Sequence, residues 1–345
     1  LAARVRTAIE EAVGQQRDAG IDIISDGELS KPGFSSYIYE RYTGFDKPPL
    51  DLNTNALDFA DFPEVAAQLL GGPKEEVWKH VQMRGCEGPI ELKDPEPVKT
   101  DIANLAAALG DTPRESAFLN APTPGQIIFN NPNGYYATRE EYLDALADAL
   151  SYEYRTIIDA GFNLQLDSPD LAMSAHYFFG DGVGDPINHA EAAIEALNKA
   201  IDGLPPERLR LHVCWGNYPG PHNHDIPLQK LIDPVLKANV ETISIEGANP
   251  THEHEWEVFK DVKLPDDKVL MPGVIDVCNT RIEHPRVVAQ RIRRYADLVG
   301  REQVIASTDC GFATFAGAEW IPPSLVWAKL RSLSDGAEIA SSELW

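Results

Sequence analysis

The stretch "LRLHVCWGN" (209–217) is an apolar, β-branched run that ends in turn-forming residues, with "YPG" following at 218–220. Read as a strand, it places His212 and Cys214 two residues apart, so the imidazole and the thiol project together from one strand end. Two soft donors aimed at one point suggest a metal, but two donors do not hold one, and the rest of the chain must supply the others. The run is followed by helical periodicity over 227–238. A strand feeding a helix is the repeating unit of a parallel sheet.

That unit recurs outward in both directions. Downstream, "VETISIEGANP" (240–250) precedes a helix near 253–260, and "KVLMPGVIDVC" (268–278) precedes "HPRVVAQRIRRYADLVG" (284–300), with Pro near its start and Gly at its end. "EQVIASTDCGF" (302–312) then precedes a last helix near 323–333. Upstream, "FNLQLDSP" (162–169) precedes a helix over 186–203, and "RESAFLNAPTPG" (114–125) precedes "TREEYLDALADALSYEYRTIIDAG" (138–161), which opens on a Thr-x-x-Glu capping box. "IDIISDGE" (21–28) is the earliest strand, and a helix over 2–19 stands before it. The strands are continuous apolar runs, as both-face burial requires. Seven such units plus the opening helix predict an α/β fold, a (β/α)8 barrel whose first strand is expected upstream of Leu1 or supplied differently. A doubly wound sheet is the alternative, but no G-x-G-x-x-G follows an early strand.

One interval breaks the rhythm. Residues 29–113 exceed what one helix and its turns use, and "GFDKPPLDLNTNALDFADFPE" (44–64) is proline-rich and aperiodic. The expectation is a single catalytic barrel domain over 1–345, with 44–113 as an insertion covering the barrel mouth.

Composition narrows the function. The chain has 345 residues, 43% of them hydrophobic, and 30 Lys plus Arg against 54 Asp plus Glu give a net charge of -24. Such a polyanion repels nucleic acid and anionic membrane surfaces. Four cysteines are too few for a disulfide framework and suit a reducing compartment. No run approaches the roughly 20 apolar residues of a membrane span. A cytoplasmic enzyme with small-molecule partners is expected; nothing in the sequence speaks to oligomeric state.

In (β/α)8 barrels, chemistry sits at the C-terminal strand ends. Those ends carry Asp26 and Glu28, Asn120, Asp167, His212 and Cys214, Glu246, Asp276 and Cys278, then Asp309 and Cys310. His212, Cys214 and Cys310, with Glu246 as a weaker oxygen donor, fit a zinc site that keeps one labile position. Any one of them alone reads more simply as a packed core residue. Three successive coincidences at strand ends favour the metal.

"HVCWGN", "SIEGANP" and "ASTDCGF", with "ISDGE" and "LQLDSP", resemble the catalytic barrel of cobalamin-independent methionine synthase, a group that includes epoxyalkane:coenzyme M transferase. The resemblance implies that His212, Cys214, Glu246 and Cys310 hold a catalytic Zn2+, and that Glu28 and Asp167 bind the amino group of a thiol such as homocysteine. It implies methyl or alkyl transfer to a thiol made nucleophilic by coordination, with Glu246 displaced by the substrate sulfur. Glu246 and Asp276 are the candidate catalytic carboxylates. Arg281 and Lys31 are candidates for a substrate carboxylate or sulfonate. The chain departs from the family at "VIDVCNTR" (274–281), where Cys278 stands in place of a histidine thought to protonate a folate leaving group; a thiol is a poor acid for that step. It also lacks the family's first-strand Gly-Ser segment, and its length accommodates one barrel where full-length plant and bacterial members have two.

Two rivals remain at this level: thiol addition to an epoxide, and a metal-free lyase akin to uroporphyrinogen decarboxylase. A closed structural zinc is a third reading of the same ligands. "GPHNHD" (220–225) reads as a solvated loop, and "THEHEWE" (251–257) as helix-capping residues. "APTPG" (121–125) is expected to shape the pocket and Cys278 to be a packing residue, while Cys86, in the insertion, carries no functional reading.

Overall fold

The computed structural model describes residues 1–46, 54–70, 83–179, 182–317 and 321–345. Seven strands form one parallel sheet: β1 (Ile24–Ser25), β3 (Ala117–Pro122), β4 (Asn163–Asp167), β6 (Leu209–Val213), β7 (Thr242–Ile245), β8 (Val269–Ile275) and β9 (Ser307–Thr308). Each pairs with the next in that order, and the sheet curls as the wall of a TIM-type barrel. All seven expected strands are present in sequence order. β1 and β9 are shortest because each is an edge, with a ladder on one side only. Across the gap between them, helices α1 (Ala2–Asp18) and α12 (Pro323–Leu344) pack together.

The outer helices follow local chemistry. α7 (Arg139–Asp159) is capped by the Thr138 hydroxyl, which accepts the Glu141 N–H at 3.1 Å, while Glu141 Oε2 accepts from Ala137 N–H. α9 (Pro186–Ala200) starts with Pro behind an Asp185 cap, and α11 (Pro285–Val299) with Pro behind His284. α12 continues past 333 to Leu344. Gly336 does not stop it: a Cβ there would lie 2.4 Å from Val288 Cβ, so this glycine lets α11 and α12 approach. The segment expected as a helix near 253–260 is a 3-10 turn, Glu255–Lys260, with its buried Glu255 carboxylate accepting the Leu228 N–H.

The interval between β1 and β3 is more structured than an aperiodic loop. Residues 47–53 and 71–82 of the expected insertion lie outside the described residues. Between them come β2 (Thr54–Ala56), α3 (Leu57–Asp61) and α4 (Pro63–Leu70), and β2 pairs antiparallel with β5 (Tyr177–Phe179). α2 (Ile38–Arg41) precedes this ribbon. α5 (Glu96–Leu109) packs on α1 and α7, taking the place of the crossover helix between β1 and β3. Arg41 ties these pieces together beneath the surface: it donates to Glu153 of α7 at 2.8 Å and to Asp101 of α5, and the Tyr37 and Tyr42 hydroxyls also donate to Glu153.

Period-two alternation sorts the barrel. Leu209, Leu211 and Val213 are buried in the core against the helices, whereas Arg210, His212 and Cys214 line the barrel cavity. Register carries this inward layer round the wall: Asp167, His212, Ser244 and Met271 are successive Cα partners.

Candidate functional site

The cavity measures about 1920 Å3 and takes inward residues from all seven strands or the turns after them. Ala56, Leu57, Phe59 and Ala60 of the β1–β3 interval also line it. The side chains of His212, Cys214 and Cys310 converge there, each offering a ligand atom within 4.8 Å of the others, and the two sulfurs are 3.8 Å apart. His212 Nδ1 sits 3.2 Å from the Ser244 hydroxyl, which fixes the ring and leaves a buried Nε2 with no hydrogen-bond partner. An orphaned imidazole nitrogen facing two thiols is a donor set that can hold a metal ion, and these three residues fit zinc.

Their electrostatics point the same way. Burial opposes charge on His212, yet the Cys310 sulfur outweighs it and raises the imidazole to about 9. The Cys214 thiol, with burial opposing and His212 assisting, brings Cys310 down to about 6. Cys214 itself is held well above its usual range by Cys310 and by burial. Of the two sulfurs, the surroundings thus favour the thiolate form at Cys310 over Cys214.

Glu246 stands just outside this group. Its Oε1 accepts the Trp215 N–H at 2.7 Å and its Oε2 accepts from the Asn249 amide at 2.7 Å. Asp309, which the strand-end reading gave no role, organises that turn: its Oδ1 accepts the Gly247 and Ala248 N–H groups and its Oδ2 accepts from Asn249 N–H. Burial and the neighbouring Glu246 push the Asp309 carboxyl up to about 7.

Across the cavity, Asp167 accepts from the Asn120 and Gln165 amides, each at 2.9 Å. Glu28, in the left-handed region at φ 53°, is pushed up to about 7, by burial first and then by Asp167 and Asp26, against Lys31. Lys31 is buried and committed: it donates to the Asn120 carbonyl at 2.6 Å and pairs with Glu28 at 3.3 Å. Glu28 and Asp167 therefore face one acidic region of the cavity.

Two expected site residues lie elsewhere. Asp276 spends its carboxylate on Cys278 N–H and the Asn279 amide within its own turn and does not line the cavity. Arg281 is exposed in the same turn, outside the cavity. Cys278 donates to Asn217 Oδ1 at 3.2 Å, and burial raises its thiol well above the usual range. Arg210 was missed. Its guanidinium lies over Phe118 inside the cavity, with Nε and Nη2 unpartnered, and burial lowers it to about 9. The signal was present: an arginine two residues before His212 in an apolar strand must point inward with it.

The histidine-rich loops also differ from expectation. His222 is not solvated, since it contacts Asp225 at 2.9 Å and stacks on Tyr218. His252 is buried, contacts the same Asp225 oxygen at 2.9 Å and stacks on Trp215. Only His224 meets the surface expectation, paired with exposed Asp61.

Residues 137–329 match the family model described as the cobalamin-independent synthase catalytic domain. The chain belongs to this family. Among relatives of the cobalamin-independent synthases, the chain is 26% identical to a 2-hydroxypropyl-CoM lyase of Xanthobacter autotrophicus, covering 99% of this chain and 88% of the relative. It is 25% identical to a methionine synthase of Thermococcus kodakarensis, covering 99% and 84%. The solved B12-independent methionine synthase of Shewanella sp. W3-18-1, in complex with selenomethionine, has the same fold, with a TM-score of 0.73 at 24% identity over 99% of this chain and 88% of that one. Among the described residues, no helix of this cobalamin-independent synthase domain is long and apolar enough to cross a membrane.

Proposed function

We propose that this chain transfers a methyl group to the thiol of a small amino acid such as homocysteine, with Zn2+ held by His212, Cys214 and Cys310 and with Glu246 as a displaceable fourth donor. The observation that carries this reading is the convergence of one unpartnered imidazole nitrogen and two thiols in the barrel cavity. Zinc there supplies charge that deprotonates a bound thiol near neutral pH. The chain's own residues do the rest. Ser244 fixes the His212 ring, and the Gly216 N–H donates to Cys214 Sγ at 3.2 Å, favouring its thiolate. Asn249 and Trp215 N–H hold Glu246 beside the trio until it moves. Glu28 and Asp167 present negative charge to a substrate ammonium group. Asp276 shapes its turn and takes no part in chemistry. Residues 56–60 of the insertion act as a cover: Ala56, Leu57, Phe59 and Ala60 line the cavity, and Phe59 packs against Tyr218, whose hydroxyl donates to Asp58 at 2.6 Å, so this part of the insertion is bound to the loop after β6.

The acidic pair favours an amino-acid thiol over a sulfonate. For a coenzyme M-type substrate, Arg281 lies outside the cavity and Lys31 is already committed to Glu28, which leaves Arg210, unpartnered at Nε and Nη2, as the cavity cation for a substrate carboxylate or sulfonate. Incubation with homocysteine plus a folate or sulfonium methyl donor, and separately with coenzyme M plus epoxypropane, separates the readings. Methionine formed in the first mixture, lost on zinc chelation, supports the proposal. Turnover only in the second defeats methyl transfer, and a metal-free chain active in neither points to lyase chemistry.

A further inference from the structure

A second cluster of metal-type donors lies outside the trio, in the loop after β6 and the segment between β4 and β5. We infer that His176, His222 and Asp225 form a second divalent-cation site, of the zinc class, that pins the loop after β6 to the insertion. Their ligand atoms lie within 4.8 Å of one another. His176 is fully buried and neither ring nitrogen has a hydrogen-bond partner; its Nδ1 lies 3.2 Å from Asp225 Oδ1, which is also unpartnered.

His222 carries the argument further. Its Nε2 faces the Tyr218 carbonyl at 3.0 Å, so that nitrogen holds a proton. In the neutral ring Nδ1 then presents a lone pair, yet it faces Asp225 Oδ2 at 2.9 Å. Two acceptors that close need either a proton or a metal ion between them, and a zinc about 2.0–2.1 Å from each would subtend roughly a right angle. A second proton on His222 would answer that contact but would leave His176 buried and unsatisfied. One metal ion answers both. His252 donates to Asp225 Oδ2 from the other side and is itself stacked under Trp215, which orients the carboxylate as partners of metal ligands commonly do.

The site would join three segments. His176 carbonyl accepts the Leu57 N–H of α3 at 2.9 Å, and Tyr218, stacked on His222, holds Asp58. The donors are nitrogen and oxygen only, so this metal is distinguishable from one bound by Cys214 and Cys310.

The test uses the untagged, dialysed full chain. Zinc content should be two per chain in the unsubstituted protein, one in His176→Ala and one in Cys310→Ser. With Co2+ in place of zinc, His176→Ala should keep the near-ultraviolet thiolate charge-transfer band, and Cys310→Ser should lose most of it. Should His176→Ala fail to fold, an anomalous map at the zinc edge on unsubstituted crystals decides: a peak among His176, His222 and Asp225 supports the site, and its absence overturns it. A zinc content unchanged by His176→Ala overturns it equally. A peak at this cluster with none at Cys310 would instead sink the thiolate site and leave this one standing.

Discussion

Gly273→Ala is the substitution through which fold and site can be tested together. Gly273 lies at the irregularity where β8 pairs with β9. A Cβ on it would sit 2.0 Å from Asp309 Oδ1, 2.6 Å from Asp309 Cα and 2.8 Å from Asp309 N, where ordinary contact begins at 3.4 Å. The Asp309 backbone must therefore retreat by about 0.8 Å, which is a severe overpacking. Its carboxylate cannot rotate clear without releasing the Gly247 and Ala248 N–H groups, now at 2.9 and 2.8 Å. Overpacking of this kind costs about 1–3 kcal/mol, and each released bond to a charged group about 1.5–3 kcal/mol. Some of those bonds survive, so the expected loss is about 3–5 kcal/mol. Gly14→Ala is the matched control: nothing lies within 4 Å of its Cβ, it sits inside α1, and it should stabilise by about 0.5–1 kcal/mol. Urea unfolding of both variants measures the gap. Because Cys310 follows Asp309, Gly273→Ala should also lose zinc on dialysis that the parent retains. Equal midpoints for the two variants, with zinc retained in both, would refute this account of the β8–β9 approach.

Binding of methionine, whose sulfur does not titrate, should tighten as pH rises from about 6 to 8, because Glu28 at about 7 becomes ionised over that window; calorimetry should show the slope, and Glu28→Gln should flatten it. The same raised carboxyl makes its stability contribution largest below the unfolded value near 4.5 and loses it as pH climbs through about 7, so Glu28→Gln should gain relative urea stability at pH 8 over pH 4. Ser244→Ala frees the His212 ring and should weaken zinc binding about 10–100-fold in a competitive chelator titration. Arg41→Met strands Glu153 and Asp101 in the core and should cost about 3–5 kcal/mol by urea unfolding, with cavity chemistry changed less than stability.

The fold was legible because apolar runs alternate with capped, amphipathic helices. Proline at the start of α9 and α11 and the Thr138 cap of α7 are local signals that tertiary packing does not override. Gly336 shows the limit: only the position of Val288 on a neighbouring helix explains a glycine inside α12. The grouping of His212, Cys214 and Cys310 follows from strand register, which one sequence can reveal when each residue ends a strand. Asp276 was placed as a strand end and Arg281 by its nearness to the mouth, but the turn after β8 folds back on itself through Asn279 and Glu283. The burial of His222 and His252 was not legible, because it depends on Asp225 and Trp215 meeting across separate loops.

The central claim is that one cation sits among His212, Cys214 and Cys310. A crystal structure with anomalous data collected at the zinc edge tests it most directly. The account predicts a peak about 2.3 Å from both sulfurs and about 2.0–2.1 Å from His212 Nε2. A map with no peak there, or with the two thiols turned apart, would contradict it.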